Sequence, residues 1–200
     1  MPAETPARPD PEHIREVARR AERLYGREEV EAAYERMAEE LTGLLAERDP
    51  LVVAVMLGGL IPAGQLLPRL RFPLEVDYLH ATRYRGATRG GELHWIVQPR
   101  RSLAGRTVLL IDDILDEGYT LAALVEACRE AGAAEVYSAV LLDKREARKN
   151  AFQATVAGLP VADRYVFGCG MDYRGYLRNL PGIYALPPEE EAGEGGGGRG

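Results

Sequence analysis

Three apolar runs, LVVAVML at 51–57, RTVLLID at 106–112 and EVYSAVLLD at 135–143, are too continuous to be strands with one wet face. A strand exposed on one side alternates apolar and polar residues, whereas a strand covered on both sides loses that alternation. Between these runs the apolar residues recur with helical spacing. One helix is expected from Pro11, with Ile14, Val17, Ala18, Ala21 and Leu24 on one face and Gly26 as its stop. A second is expected over about 28–47, with Val30, Ala33, Tyr34, Met37, Leu41, Leu44 and Leu45 as its stripe, and a short one near Gly64–Leu70. LAALVEACREAGA gives a fourth, capped by Thr120 and ended by Gly132. Strands alternating with helices predict an α/β fold with a central, mostly parallel sheet flanked by helices.

The rest of the chain fits around that sheet. PLEVDYLHATRY reads as a strand and LHWIVQ as its hairpin partner, with the Gly-rich 85–91 segment between them as a mobile loop. VADRYVFG reads as a further strand, and the aromatic, Arg-rich end finishes in a short one. Residues 1–10 and 188–200 are Pro-rich or Gly- and Glu-rich and are expected to be disordered. One domain is therefore expected over 11–187. Two hundred residues at 46% hydrophobic and 28% charged suit such a domain. A net charge of −6 argues against nucleic-acid binding, no apolar run reaches membrane-spanning length, and the N-terminus lacks the apolar segment of a signal peptide. A cytoplasmic protein is expected. Cys128 and Cys169 make no disulfide or metal pattern and are expected as buried free thiols. His13, His80 and His94 are read as structural or surface residues.

Chemistry concentrates in IDDILDEGYT, 111–120. Neither a G-x-x-x-x-G-K-[ST] loop nor a G-x-G-x-x-G after a strand is present, yet this segment has the layout of a phosphate site. A buried strand ends, a turn containing Gly118 follows, and a helix begins, so backbone N–H groups and the helix dipole face an anion. Asp112 and Asp113 sit beside that cradle. A ligand with both a phosphate and vicinal hydroxyls, a ribose 5-phosphate, matches the two halves. Two other features stand out. MLGG (56–59) closes the first buried strand with two glycines, and Lys144, one of only two lysines, closes the third. Taken alone, MLGG also reads as a plain strand-to-helix turn, Lys144 as a surface lysine in KREARK, and Tyr165 as a core aromatic.

VLLIDDILDEGYT resembles the motif by which type I phosphoribosyltransferases bind phosphoribosyl pyrophosphate (PRPP). RYVFGCGMDYRGYLRN narrows the resemblance to the hypoxanthine-guanine phosphoribosyltransferases, over roughly residues 10–187. The resemblance implies their fold, with a core of about 28–150 and a small hood from about 11–25 and 160–187. It implies transfer of 5-phosphoribosyl from PRPP to hypoxanthine or guanine, giving IMP or GMP and pyrophosphate in purine salvage. Asp112, Asp113, Asp116, Glu117, Gly118, Tyr119 and Thr120 would bind the phosphoribosyl group, with Asp116 also the general base near the purine N7. Leu57, Gly58, Gly59 and Arg178 would bind pyrophosphate, MLGG through a strained, often cis, peptide. Lys144, Tyr165 and Val166 would bind the purine, with Lys144 on O6. Arg83 and Tyr84 would belong to the closing loop, and Asp112, Asp113 and Asp172 would hold Mg²⁺.

Two positions depart from the family pattern. Relatives often carry Lys where Leu57 stands and Thr where Glu117 stands. A carboxylate aimed at a phosphate is repelled, so the Glu117 side chain is expected to face away. The resemblance also implies a homo-oligomer, dimer or tetramer. The alternatives are a xanthine- or xanthine-guanine-preferring enzyme and a PRPP-sensing regulator on the same fold.

Overall fold

The computed structural model describes residues 9–83 and 93–190. The expectations for residues 1–8, for Tyr84 and the 85–91 loop, and for residues 191–200 lie outside the described residues. Helix α1 (Pro11–Arg20) opens on Asp10, whose carboxylate accepts from the Glu12 N–H at 2.9 Å. The helical spacing predicts that it continues to Gly26. Instead it stops at Arg20, and Glu22–Tyr25 form strand β1. The reason is a distant partner: β1 lies antiparallel to β9 (Ile183–Ala185), with Arg23 opposite Tyr184. Backbone pairing contributed from the other end of the chain outweighs local propensity.

The remaining elements are α2 (Arg27–Leu45), β2 (Leu51–Val55), α3 (Leu60–Leu66), β3 (Glu75–Arg83), β4 (Leu93–Val97), β5 (Thr107–Leu115), α4 (Tyr119–Glu130), β6 (Glu135–Asp143), β7 (Val156–Pro160) and β8 (Val166–Phe167). Six strands make one sheet in the order β4-β3-β2-β5-β6-β7, and β1, β9 and β8 make a second. In the large sheet every pairing is parallel except the β3–β4 hairpin. The mostly parallel sheet expected from the apolar runs is thus observed, and all five residues of β2 are buried.

Each face of the large sheet carries its own core. Val52, Ala54, Leu109, Ile111, Ala139 and Leu141 meet α2 and α3, which contribute Tyr34, Met37, Leu41 and Leu66. Val53, Val55, Val108, Leu110 and Val140 meet α4 through Leu121, Leu124, Val125 and Cys128. Fully burying one such side chain stabilises by roughly 1.5–3 kcal/mol, so these two layers dominate the fold. The small sheet has its own cluster of Ile14, Val17, Phe167, Tyr173 and Leu186. Arg164 ties it together, donating to the Glu22 carboxylate and the Leu186 carbonyl, each at 2.6 Å. Cys128 and Cys169 are buried and free, as expected, and burial pushes both thiols up to about 11.

Three further expectations change. The helix placed near 64–70 begins at Leu60 and gives way to a 3₁₀ turn, Leu67–Arg69, where Pro68 interrupts it. The strand expected over 161–168 shrinks to Val166–Phe167, while the sixth strand of the large sheet is Val156–Pro160. Helix α4 opens on Gly118 rather than on Thr120, which lies inside its first turn. Among the described residues no helix is long and apolar enough to cross a membrane.

Asp77 on β3 shows how a loop is held to the sheet edge. It is 8% exposed and accepts from the N–H groups of Tyr78 (2.8 Å), Arg100 (2.7 Å) and Arg101 (2.8 Å). Burial alone pushes its carboxyl up, but those three backbone donors outweigh burial and hold it below the usual range. A depressed folded pKa adds stability above the unfolded value and loses it as pH falls through the folded one. Asp77→Ala is expected to cost about 1–3 kcal/mol at pH 7, since three part-buried N–H donors lose a charged acceptor. Urea denaturation at pH 7 and near pH 3 checks this: the gap to wild type should narrow at the lower pH.

Candidate active site

The carboxyl ends of β2, β5 and β6 meet at one edge of the large sheet, where open α/β sheets place their ligands. Strand β5 runs on through the acidic segment to Leu115, so Asp112 and Asp113 sit on regular backbone rather than in a turn. Each accepts from the following N–H: Asp113 N–H to Asp112 Oδ1 at 2.9 Å, Ile114 N–H to Asp113 Oδ1 at 2.8 Å. Asp113 is 8% exposed and Asp112 half-buried. Burial, and then the neighbouring Asp113 charge, push the Asp112 carboxyl well above the ordinary aspartate range. Burial also raises Asp113, with Arg178 partly opposing it.

Glycine lets three segments close around Asp113. A Cβ on Gly58 would stand 2.2 Å from Asp113 Oδ2. Gly170, at φ 115°, passes so near that its Cβ would meet the Gly58 carbonyl at 2.3 Å. Neither position has room for another residue. The MLGG corner contains a cis peptide between Met56 and Leu57, as the resemblance implied for this loop. Gly59 stands as the N-cap of α3, and Leu57 is 54% exposed.

Arg178 approaches from the connection between β8 and β9. It donates to the Gly170 carbonyl at 2.6 Å, pairs with Asp172 Oδ1 at 2.5 Å, and stands 4.0 Å from Asp113 Oδ2. Asp172 also accepts from the Gly175 N–H at 2.6 Å. Asp113, Asp172, Gly58 and Arg178, drawn from three separate stretches of sequence, are therefore brought together.

The turn after β5 is held from behind by the segment following β6. Arg148 donates to the Asp116 carbonyl at 3.2 Å, and also to the Phe152 carbonyl and the Asp143 carboxylate. The Lys149 N–H donates to the Glu117 carbonyl at 3.2 Å. Gly118, at φ 87°, lies so close to this segment that a Cβ would meet Asn150 Oδ1 at 2.5 Å. The Glu117 carboxylate pairs with Lys149 Nζ at 2.5 Å on the exposed side of the turn. Tyr119 and Thr120 form the first turn of α4, with Tyr119 exposed.

Lys144 is 2% exposed, which removes the surface-lysine alternative. Its Nζ stands 3.5 Å from Asp116 Oδ2 and 3.5 Å from Asp163 Oδ1. Tyr165 is half-buried and meets Tyr173 edge-on, centroids 5.8 Å apart. Val166 is buried and opposite Ala185 in the small sheet. Arg83 closes β3, opposite Leu93.

The residues at 21–174 match the family model described as "Phosphoribosyl transferase domain". The chain belongs to this family. It is 35% identical over 166 residues to the hypoxanthine-guanine phosphoribosyltransferase of Bacillus subtilis, covering 82% of this chain and 92% of that protein. It is 36% identical over 167 residues to the bifunctional protein TilS/HprT of Listeria innocua, covering 83% of this chain but only 26% of that longer protein. A solved hypoxanthine phosphoribosyltransferase from Staphylococcus aureus superposes with a TM-score of 0.80 at 30% identity, covering 84% of this chain and 92% of the other. Within this phosphoribosyltransferase domain, sequence reasoning missed Arg148, Lys149, Asn150, Asp163 and Gly170. The polar run KREARKN, directly after a buried strand, was the available signal for the first three.

The raised Asp112 and Asp113 carboxyls have a consequence for stability. They keep protons in the folded chain at pH values where the unfolded chain has released them. Folding stability therefore falls as pH rises through the ordinary aspartate range and stays reduced above the folded pKa values. Asp112→Asn keeps the oxygen that accepts from Asp113 and removes one buried charge. In metal- and ligand-free buffer at pH 7.5 it should raise Tm, by about 2–4 °C for each kcal/mol of repulsion removed. Its advantage should fade toward pH 4, and a lower Tm than wild type at pH 7.5 would show that burial of the pair costs nothing.

Proposed function

We propose that this chain transfers the 5-phosphoribosyl group of PRPP to N9 of hypoxanthine or guanine, in purine salvage, giving IMP or GMP and pyrophosphate. The observation that carries the reading is the pairing of buried Lys144, at the end of β6, with half-buried Asp116 in the turn after β5. An ammonium beside a carboxylate suits a 6-oxo purine, with Lys144 donating to O6 and Asp116 accepting the N7 proton. Adenine offers a donor at position 6 and leaves the lysine unmatched, a mismatch worth roughly 1–3 kcal/mol or more in a closed site. The relatives named hypoxanthine-guanine phosphoribosyltransferases support the same base class.

In this reading the C1–O bond to pyrophosphate breaks as the C1–N9 bond forms, with inversion at C1. Backbone N–H groups of Glu117–Thr120 and the Thr120 hydroxyl hold the 5-phosphate, while Gly58, Gly59, Arg178 and the Leu57 backbone face pyrophosphate. Tyr165 stacks on the purine and Val166 reads its C2 edge. The segment after Arg83, including Tyr84, excludes water that would hydrolyse PRPP. Residues from the two ends of the chain, about 11–25 and 160–187, act as the hood over the sheet edge.

Mg²⁺ fits the residues present. Two adjoining carboxylates, Asp113 buried and Asp112 half-buried, resist full ionisation on their own, and Mg²⁺ is usually held by one or two carboxylates together with substrate oxygens. Asp112 and Asp113 would hold it beside the ribose hydroxyls, and Asp172 a second ion, whose bound form neutralises charge developing on pyrophosphate. A cytoplasmic location and a homo-oligomeric state belong to the same reading.

The test is a spectrophotometric assay with PRPP, Mg²⁺ and each of hypoxanthine, guanine, xanthine and adenine. Turnover of hypoxanthine or guanine is expected; turnover of xanthine alone, or of no base, overturns the assignment. Asp116→Asn should lower kcat about 10- to 10³-fold, the range for loss of a general base. Near-normal turnover by that variant removes Asp116 from proton transfer.

A further inference from the structure

Lys144 has a second carboxylate partner, and the proposed reaction gives it no task. Asp163 lies in the connection between β7 and β8, two residues before Tyr165, and its Oδ1 is 3.5 Å from Lys144 Nζ. Asp116 Oδ2 is also 3.5 Å away. Both separations are longer than the roughly 2.7–2.9 Å of a closed ammonium–carboxylate hydrogen bond. The ammonium is therefore suspended between two acids rather than collapsed onto one. It sits on a side chain that is 3% exposed, where surrounding atoms limit other placements.

Resting on the reaction proposed above, we infer that Asp163 is a positioning residue that sets the Lys144 ammonium for the 6-oxo group of the base. An ammonium has three N–H donors and no acceptor. Two can be directed at Asp116 and Asp163, which leaves one for the substrate oxygen. The opposing pull of Asp163 also keeps Lys144 from closing on Asp116. A closed Lys144–Asp116 pair would occupy the carboxylate that has to accept the N7 proton and would turn the ammonium away from O6. Because Asp163 lies on the segment that carries Tyr165 and Val166, the same ion pair aligns the O6 donor on β6 with the stacking ring and the C2-edge reader. One contact thus registers the two halves of the base site against each other.

The test compares Asp163→Asn and Asp163→Glu with wild type. The Asp163 side chain is 48% exposed, so the Asn variant should fold normally, with Tm within about 2 °C of wild type. The KM for hypoxanthine should rise about 10- to 100-fold, as for a reacting group displaced by an ångström, with a fall in kcat. The KM for PRPP should stay unchanged, and the preference for hypoxanthine over adenine should shrink. Asp163→Glu keeps the charge within reach of Lys144 and should recover most of the loss. Calorimetric binding of IMP, which needs no turnover, should weaken in the Asn variant and recover in the Glu variant. Unchanged hypoxanthine KM and IMP affinity in Asp163→Asn overturn the inference while leaving the reaction standing. So does a parallel loss for both substrates with a lowered Tm, which marks a merely structural contact. A wild-type protein that turns over no base overturns the reaction itself, and the inference with it.

Discussion

The arrangement of the whole edge follows from two carboxylates held side by side at the end of β5. Burying a charge is costly unless it is paired, and burying two adjacent ones of the same sign is worse. Asp112 and Asp113 accept backbone N–H groups from their own strand, and the Arg178 guanidinium stays 4.0 Å from Asp113. Their raised carboxyls record that incomplete compensation. In the proposed reaction, Mg²⁺ arriving with PRPP would supply the positive charge that this pair lacks. The glycines at 58 and 170 fit this logic, because they let backbone close around Asp113 where any side chain would fill the space.

Away from that pair, the other acids of the site each face a cation. Asp116 faces Lys144, Glu117 faces Lys149, Asp172 faces Arg178, and Asp143 faces Arg148. The contrast fits the division of labour in the proposed reaction, in which the compensated acids would hold geometry or accept a proton and the undercompensated pair would meet metal and sugar. Arg148 carries the division across strands, since one guanidinium reaches the Asp116 carbonyl after β5 and the Asp143 carboxylate on β6. The turn proposed to hold phosphate and the lysine proposed to read the base are thereby parts of one hydrogen-bonded unit.

Features with local causes were legible in the sequence. The three doubly buried strands follow from unbroken apolar runs, and the acidic turn with its glycine follows from residue order alone. What escaped is nonlocal. Glu22–Tyr25 has a helical pattern and becomes a strand because Ile183–Ala185, from the far end of the chain, offers it a backbone partner. Val156–Pro160 is interrupted by Gly158 and ended by Pro160, both disfavoured in strands, yet it pairs along β6. Arg148 and Asp163 sit in polar connections, where nothing in composition separates a solvated side chain from one that braces a site.

Glu117 shows how such bracing alters the meaning of a departure. A carboxylate in a turn that has to accept a phosphate is unfavourable by charge alone. The Lys149 ammonium lies 2.5 Å from it, and the Lys149 N–H donates to the Glu117 carbonyl, so the two residues are joined through side chain and backbone. The pair is close to neutral as a unit, and its side chains lie 45% and 61% exposed, where solvent screens what remains. The turn's backbone donors and the start of α4 would then meet a phosphate, in the proposed reaction, without a net opposing charge. Leu57, in contrast, has an exposed apolar side chain, so in the proposed reaction pyrophosphate at that corner would be left to backbone groups and to Arg178. The departure at Glu117 is thus answered by a neighbour, a lysine thirty-two positions on, whereas the partners of Arg178 include Asp113, Asp172 and the Gly170 carbonyl.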